Sequence, residues 1–252
     1  MNSMDFSNKC VWVTGAGQGI GLQVALRFQA AGAHVIGFDR AFIQADYPFQ
    51  TVVLDITDAA AVQQVSQEIL GRHPHIDVLV NGAGVLRLGS SEELSVADWQ
   101  ACFDVNVSGP FYLFRQLVPV FKAQGSGAVV SIASNAAHVP RMLMAAYCAS
   151  KAAMVALNNC IGLELAGHGV RCNLVSPGST DTPMLRGMVG GPQGFPSLVE
   201  GLPEHYKLGI PLKKIATTDE IANVVLFLAS DLASHMTMQD LVVDGGATLG
   251  KL

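Results

Sequence analysis

The sequence predicts an α/β protein with a doubly wound sheet, seven parallel strands carrying helices on both faces. Three observations lead there. Short β-branched runs alternate with longer stretches of helical period along the 252 residues, the order that builds a parallel sheet through crossover helices. Several of those runs, such as VLVN at 78–81, are apolar nearly throughout, as strands covered on both faces are. The first run also passes through a glycine-rich turn directly into a helix, an arrangement that places ligands beyond the carboxyl ends of the strands.

The elements follow in order. A strand over 10–14 leads through the turn to a helix over 19–31, and a second strand over 33–39 ends on Asp39 and Arg40. A strand over 51–54, a helix over 59–72 and a strand over 78–81 complete the first half. A long helical stretch over 96–122 contains Pro110, expected to kink it. A strand over 128–134, a helix over 147–166 and a strand over 171–175 follow. Thr217-x-x-Glu220 has the form of a capping box for a helix over 219–229, and a strand over 241–243 closes the sheet. Between them, 177–207 is rich in Gly, Pro and Met and shows no period. An unpatterned stretch of that length in a compact domain is usually a functional lid or mobile, so a substrate lid is expected there. No repeat, low-complexity tract or linker interrupts the chain, and one domain over 1–252 is expected.

Composition narrows the function. Half the residues are hydrophobic and 14% are charged, enough for a large core and too apolar for disorder. Fifteen Lys and Arg against 20 Asp and Glu give a net charge of −5, and without a dense basic run nucleic acid is not expected as a partner. Five dispersed cysteines with no C-x-x-C pair suit reduced thiols in the cytoplasm. The first residues lack the basic and apolar regions of a signal peptide; Met1 and Met4 are both candidate initiators. No run reaches the ~18 apolar residues of a membrane span. No metal site is expected, because His73 and His75 form a loop pair and the other histidines lack ligand spacing. A serine hydrolase would want G-x-S-x-G, which is absent.

The turn TGAGQGIG fits T-G-x-x-x-G-x-G, with Gly15, Gly19 and Gly21. The commoner G-x-G-x-x-G does not fit, since Ile20 or Leu22 falls where its last glycine should be. Glycines let the backbone approach a pyrophosphate, and the helix N-terminus offers free N–H groups to it. Asp39 stands about twenty residues on, where an acid bonds an adenosine ribose; its alternative role is a strand-end turn residue. A carboxylate there repels a 2′-phosphate, which favours NAD over NADP. Arg40 works against that preference, while Gln18 adds no second cation in the turn.

The stretch AAYCASKAAM sets a phenol, Tyr147, four residues before an amine, Lys151, among small side chains. On a helix the two share a face, and an ammonium beside a phenol lowers its pKa from about 10. A packed Tyr beside an exposed Lys is the alternative.

Turn and pair together resemble the short-chain dehydrogenase/reductase family, and the likeness covers nearly the whole chain. It extends to NGAG at 81–84, VNVSG at 105–109, VVSIAS at 129–134, SPGSTDT at 176–182 and VDGG at 243–246. The resemblance implies a Rossmann fold and a dehydrogenase whose NAD lies along Gly15, Gln18, Gly19, Ile20, Gly21, Asn81, Gly82, Pro177, Gly178 and Thr180, together with Tyr147 and Lys151. It gives Asp55 to the adenine ring, with a turn role as the alternative. Tyr147 becomes the general base and Lys151 favours its phenolate and binds the nicotinamide ribose. Ser134 orients the substrate hydroxyl (or caps a turn), and Asn106 holds a water that relays the proton. A homotetramer packed through the 96–122 and 147–166 helices is also implied.

IASNAAHVPR, SPGSTDTPM and LASHMTMQDLVVDGGATLG are similar to one group within the family, whose members oxidise a carboxylated cyclohexadiene diol to a catechol acid for siderophore synthesis. Many relatives carry I-T-G before the last strand, where this chain has Met238 in place of the glycine. The likeness implies contact with the enzyme that adenylates the product. A ring carboxylate needs a donor in an apolar pocket, and the candidates are Arg141, Arg87 and Lys207. Arg141 is favoured because its loop passes between Ser134 and Tyr147; a surface arginine is the alternative. Rival readings are another dehydrogenase of the family, with an oxoacyl or sugar-alcohol substrate, and a nucleotide-sensing regulator on the same scaffold.

Overall fold

The computed structural model describes residues 4–44 and 46–250; Met1, one of the two candidate initiators, lies outside them. In chain order the elements are β1 (Cys10–Thr14), α1 (Gly19–Ala30), β2 (His34–Asp39), β3 (Gln50–Val53), α2 (Ala59–Arg72), β4 (Val78–Asn81), α3 (Val96–Phe103) and α4 (Gly109–Gln124). Then come β5 (Gly127–Ile132), α5 (Ala145–Ala166), β6 (Val170–Pro177), α6 (Pro183–Val189), α7 (Phe195–Glu200), β7 (Gly201–Leu202), β8 (Lys207–Leu208), α8 (Thr218–Ala229) and β9 (Asp240–Val243). The main sheet has seven strands in the order β3-β2-β1-β4-β5-β6-β9. Every neighbouring pair in it is parallel. Strand order reverses between β1 and β4, which opens a crevice at their carboxyl ends.

Alternate residues of each apolar strand serve opposite faces. Val11 and Val13 join Val24 and Phe28 of α1 and Val225 of α8 in one buried layer. Trp12 between them joins Leu113 and Leu117 of α4 and Met154 of α5 in the other. The seven expected strands are all present. The capping box also forms: Thr217 Oγ1 accepts from Glu220 N, and Glu220 Oε2 accepts from Thr217 N.

Three expectations change. The 96–122 stretch is broken by a five-residue π segment, Asp104–Ser108, that lies before Pro110. Pro110 sits in the first turn of α4 and has no N–H for the Asn106 carbonyl four residues back, which suits the wider π turn there. The unpatterned 177–207 segment contains α6, α7 and the antiparallel β7–β8 hairpin. Helices of seven and six residues are too short to reveal a period, although Thr182 and Gly190 cap α6 as its sequence allows. Helix α5 begins two residues before Tyr147, at Ala145.

Met238, standing where many relatives have glycine, adopts φ 57°, a left-handed conformation that glycine takes without steric cost. Its side chain packs against Gly162, where an added Cβ would lie 2.9 Å from Met238 Cγ. Gly162→Ala should therefore destabilise the chain by about 1–3 kcal/mol, which chemical denaturation would measure.

Candidate active site

The glycine turn is held by contacts that permit no side chain. A Cβ on Gly21 would stand 2.2 Å from the Gly15 oxygen, and one on Gly82 would stand 2.7 Å from the Thr14 oxygen. Gly15 itself has φ 71°. Thr14, buried at the end of β1, accepts the N–H groups of Gly82 and Ala83 at 3.1 and 3.2 Å. That pair of bonds fastens the turn to the end of β4. Gly17 N donates to Asp39 Oδ2 at 2.9 Å, so the carboxylate at the tip of β2 lies against the turn.

Below the turn is a cavity of about 530 Å³. Gln18, Gly19, Ile20, Gly21 and Gly82 line one part of it; Pro177, Gly178 and Thr180 line another. Ser134, Tyr147 and Lys151 open into the same space. Ser134 follows β5 and its Oγ accepts the Ala136 N–H at 3.2 Å, starting a short 3-10 turn. Tyr147 and Lys151 lie one turn apart near the start of α5, with Lys151 Nζ 5.8 Å from the phenol ring centre. That amine is buried and donates to the Ile132 carbonyl at 2.8 Å.

The electrostatics depart from expectation. Burial pushes the Tyr147 phenol up to about 12, and the neighbouring Ser134 hydroxyl only partly opposes this. Burial likewise pushes the Lys151 amine down to about 8. The lowered phenol pKa expected from the pair is thus not a property of the chain by itself. Desolvation penalises both charged forms, and it is the largest cause of both shifts.

A family model described as enoyl-(acyl carrier protein) reductase matches residues 15–248. The chain is 58% identical to the 2,3-dihydro-2,3-dihydroxybenzoate dehydrogenase of Escherichia coli (strain K12), over 98% of this chain and 100% of that one. It is 42% identical to the enzyme of the same name from Bacillus subtilis (strain 168), over 99% and 100%. Among solved structures, ligand-free aldohexose dehydrogenase of Thermoplasma acidophilum aligns with a TM-score of 0.90 at 31% identity, covering 98% of this chain and 97% of that one. The chain belongs to the short-chain dehydrogenase/reductase family. It is an oxidoreductase.

Some expected positions of this short-chain dehydrogenase/reductase do other work. The Asn106 side chain makes three hydrogen bonds: Oδ1 accepts from Val85 N at 2.9 Å, and Nδ2 donates to Val85 O at 3.0 Å and to Ser150 Oγ at 2.9 Å. It ties the strand-end loop to the π segment. Asn81 faces the protein interior, where Nδ2 donates to Ser131 Oγ, which donates in turn to Asn158 Oδ1. Asp55 accepts from both the N–H and the hydroxyl of Thr57 at 2.9 and 2.8 Å, a turn role. Arg87 is absent from the cavity lining and pairs instead with Asp98 at 3.0 Å. Arg141 and Lys207 both line the cavity.

Sequence reasoning missed Thr14, Ser150 and Asn158. Thr14 was visible as the first letter of the turn. Asn158 was visible as a polar residue seven positions after Lys151, on the same helical face.

Proposed function

We propose that this enzyme oxidises 2,3-dihydro-2,3-dihydroxybenzoate to 2,3-dihydroxybenzoate with NAD+, as a step of siderophore synthesis. One observation carries the reading. The cavity that unites the glycine turn with Ser134, Tyr147 and Lys151 is lined by Arg141 and Lys207 and, among the described residues, by no Asp or Glu. In a chain of net charge −5, that lining suits an anionic substrate. The printed activity of the relatives fits it.

The residues present fit a dinucleotide. Side chains are excluded from the turn at Gly15, Gly21 and Gly82, and Gln18–Gly21, which open α1, line the cavity. When bound, NAD+ supplies the hydride acceptor. The chain must then remove the hydroxyl proton, and Tyr147 is the group placed for it. Its phenolate is favoured once the Lys151 ammonium and a cationic ring stand beside it. Ser134, with its hydroxyl at the cavity wall, holds the substrate oxygen near Tyr147. Loss of the C–H hydride and the O–H proton leaves a ketone, which tautomerises to the catechol as a ring carbon loses a proton and the ketone oxygen gains one, and aromatisation makes the oxidation effectively one-way. Asn106 serves as the positioning residue of the π segment from which the proton path leaves.

Asp39 accepts the ribose hydroxyls in this reading, and Arg40 is too weak a counterweight to reverse the choice. NAD+ should be preferred to NADP+ at least tenfold in kcat/KM, about 1.4 kcal/mol. Equal efficiency would assign Arg40 to the phosphate.

Exposed Trp99, Phe111 and Leu163 on α3, α4 and α5 support a homotetramer packed through those helices. The free thiols of Cys10, Cys102, Cys148, Cys160 and Cys172 support a cytoplasmic setting. The product acid is a substrate for adenylation, and direct transfer to a 2,3-dihydroxybenzoate-adenylating enzyme is part of the reading. The single chain is one functional domain, and its 177–207 segment covers the substrate. NADH formation from the dihydrodiol, set against a sugar alcohol and an oxoacyl thioester with NADPH, tests the substrate. Turnover confined to either rival would replace it, and failure with all three would favour a nucleotide sensor.

A further inference from the structure

Two cations in the cavity wall stand outside the ion pairs formed among the described residues. Arg141 comes from the connection between β5 and α5, and Lys207 from the β7–β8 hairpin. Both are half-buried, both line the cavity, and among the described residues neither forms an ion pair. Their neighbours in the cavity wall include the apolar Met142, Leu143, Leu198 and Leu202. Burying one unpaired cation is costly, and setting a second beside it adds repulsion.

The hairpin is built to bring the lysine inward. Lys207 pairs with Leu202 across the two strands, which puts both side chains on one face, and both line the cavity. Leu208, next along, faces outward and is 60% exposed. Tyr206 just before it turns the chain at φ 52°, a conformation that non-glycine residues seldom adopt. The glycine turn, on other elements, already supplies donors for a pyrophosphate, so these two cations are left over.

We propose that Arg141 and Lys207 form a two-cation clamp that reads the ring carboxylate, with Lys207 reaching it from the 177–207 segment. The clamp makes Lys207 a specificity-determining residue and ties that segment to the scaffold through the substrate's own charge. This rests on the dihydrodiol reading for the identity of the acid. The proximity has an electrostatic mark: burial first, and then the Arg141 guanidinium, hold Lys207 down to about 8. Burial also lowers Arg141, opposed by Cys148 and Asp244. His205 is the other titratable group at this end of the cavity. The Asp244 carboxylate is occupied by Thr248, Asn135 and the Gly246 N–H.

The test is calorimetric binding of 2,3-dihydroxybenzoate and of catechol to the full chain saturated with NAD+. Wild type should favour the acid. Arg141→Leu and Lys207→Met should each weaken the acid about tenfold, about 1.4 kcal/mol, and leave catechol within about twofold. Lys207→Arg should restore acid binding. Wild-type affinity for the acid should hold below pH 8 and fall above it, as Lys207 loses its proton, whereas Lys207→Arg should stay level to about pH 9.5. Equal weakening of acid and catechol in Lys207→Met would overturn the clamp and leave the lysine a support of the hairpin. So would a wild type with no preference for the acid. Turnover of the dihydrodiol by wild type reports separately on the substrate: turnover without acid preference sinks the clamp alone, and acid preference without turnover sinks the dihydrodiol reading alone.

Discussion

Tyr147→Phe should lower turnover by about two orders of magnitude or more while leaving NAD+ affinity nearly unchanged. General bases contribute roughly 10²–10⁴ in rate, and the substitution removes only the hydroxyl while the ring stays packed. The structure adds a condition to this. Burial holds the phenol at about 12 in the chain itself, so useful phenolate at neutral pH depends on cations close to the oxygen. Wild-type turnover, with chemistry limiting, should therefore rise with pH toward the phenol's effective pKa, because only the deprotonated form accepts the proton. Lys151→Met should move that rise to higher pH, since one of the two cations is gone. A profile flat from pH 6 to 10 in wild type would mean that Tyr147 is not the base.

Asn106→Ala should cost about 2–4 kcal/mol of stability. The substitution strands the Val85 N–H and carbonyl, which bond Asn106 at 2.9 and 3.0 Å, and each buried unpaired group costs about 1–3 kcal/mol. For a chain of this size that is a fall in Tm of about 4–16 °C. Ser150 is less affected, because its hydroxyl still donates to the Tyr147 carbonyl at 2.8 Å. Turnover should fall as well, since that same hydrogen-bonded chain links the π segment to the helix carrying Tyr147. Unchanged stability with lost turnover would return Asn106 to a purely water-holding role. Thermal unfolding beside steady-state kinetics separates the two.

The sheet was legible because its signals are local. Val11, Trp12 and Val13 are apolar in succession since both faces are covered, and the glycine turn between strand and helix marks by itself where the crevice opens. Tyr147 and Lys151 were legible because helical spacing alone puts them on one face. What escaped depends on distance and burial. The upward shift of Tyr147 comes from the fold closing around it, which no spacing records. Arg87 and Arg141 look alike along the chain, and only the packing of α3 gives Arg87 its partner Asp98. The helices of 177–207 were hidden by their shortness. Lys207 could be named as a cation, but its inward direction is set by a two-residue strand and a left-handed Tyr206.

The most direct measurement is product analysis after incubating the enzyme with 2,3-dihydro-2,3-dihydroxybenzoate and NAD+. Tyr147 as base and a pocket that reads the acid together predict NADH and 2,3-dihydroxybenzoate in equal amounts, with no return of dihydrodiol when NADH is added in excess. No NADH from this diol, beside rapid NADH from an uncarboxylated polyol, would contradict the account.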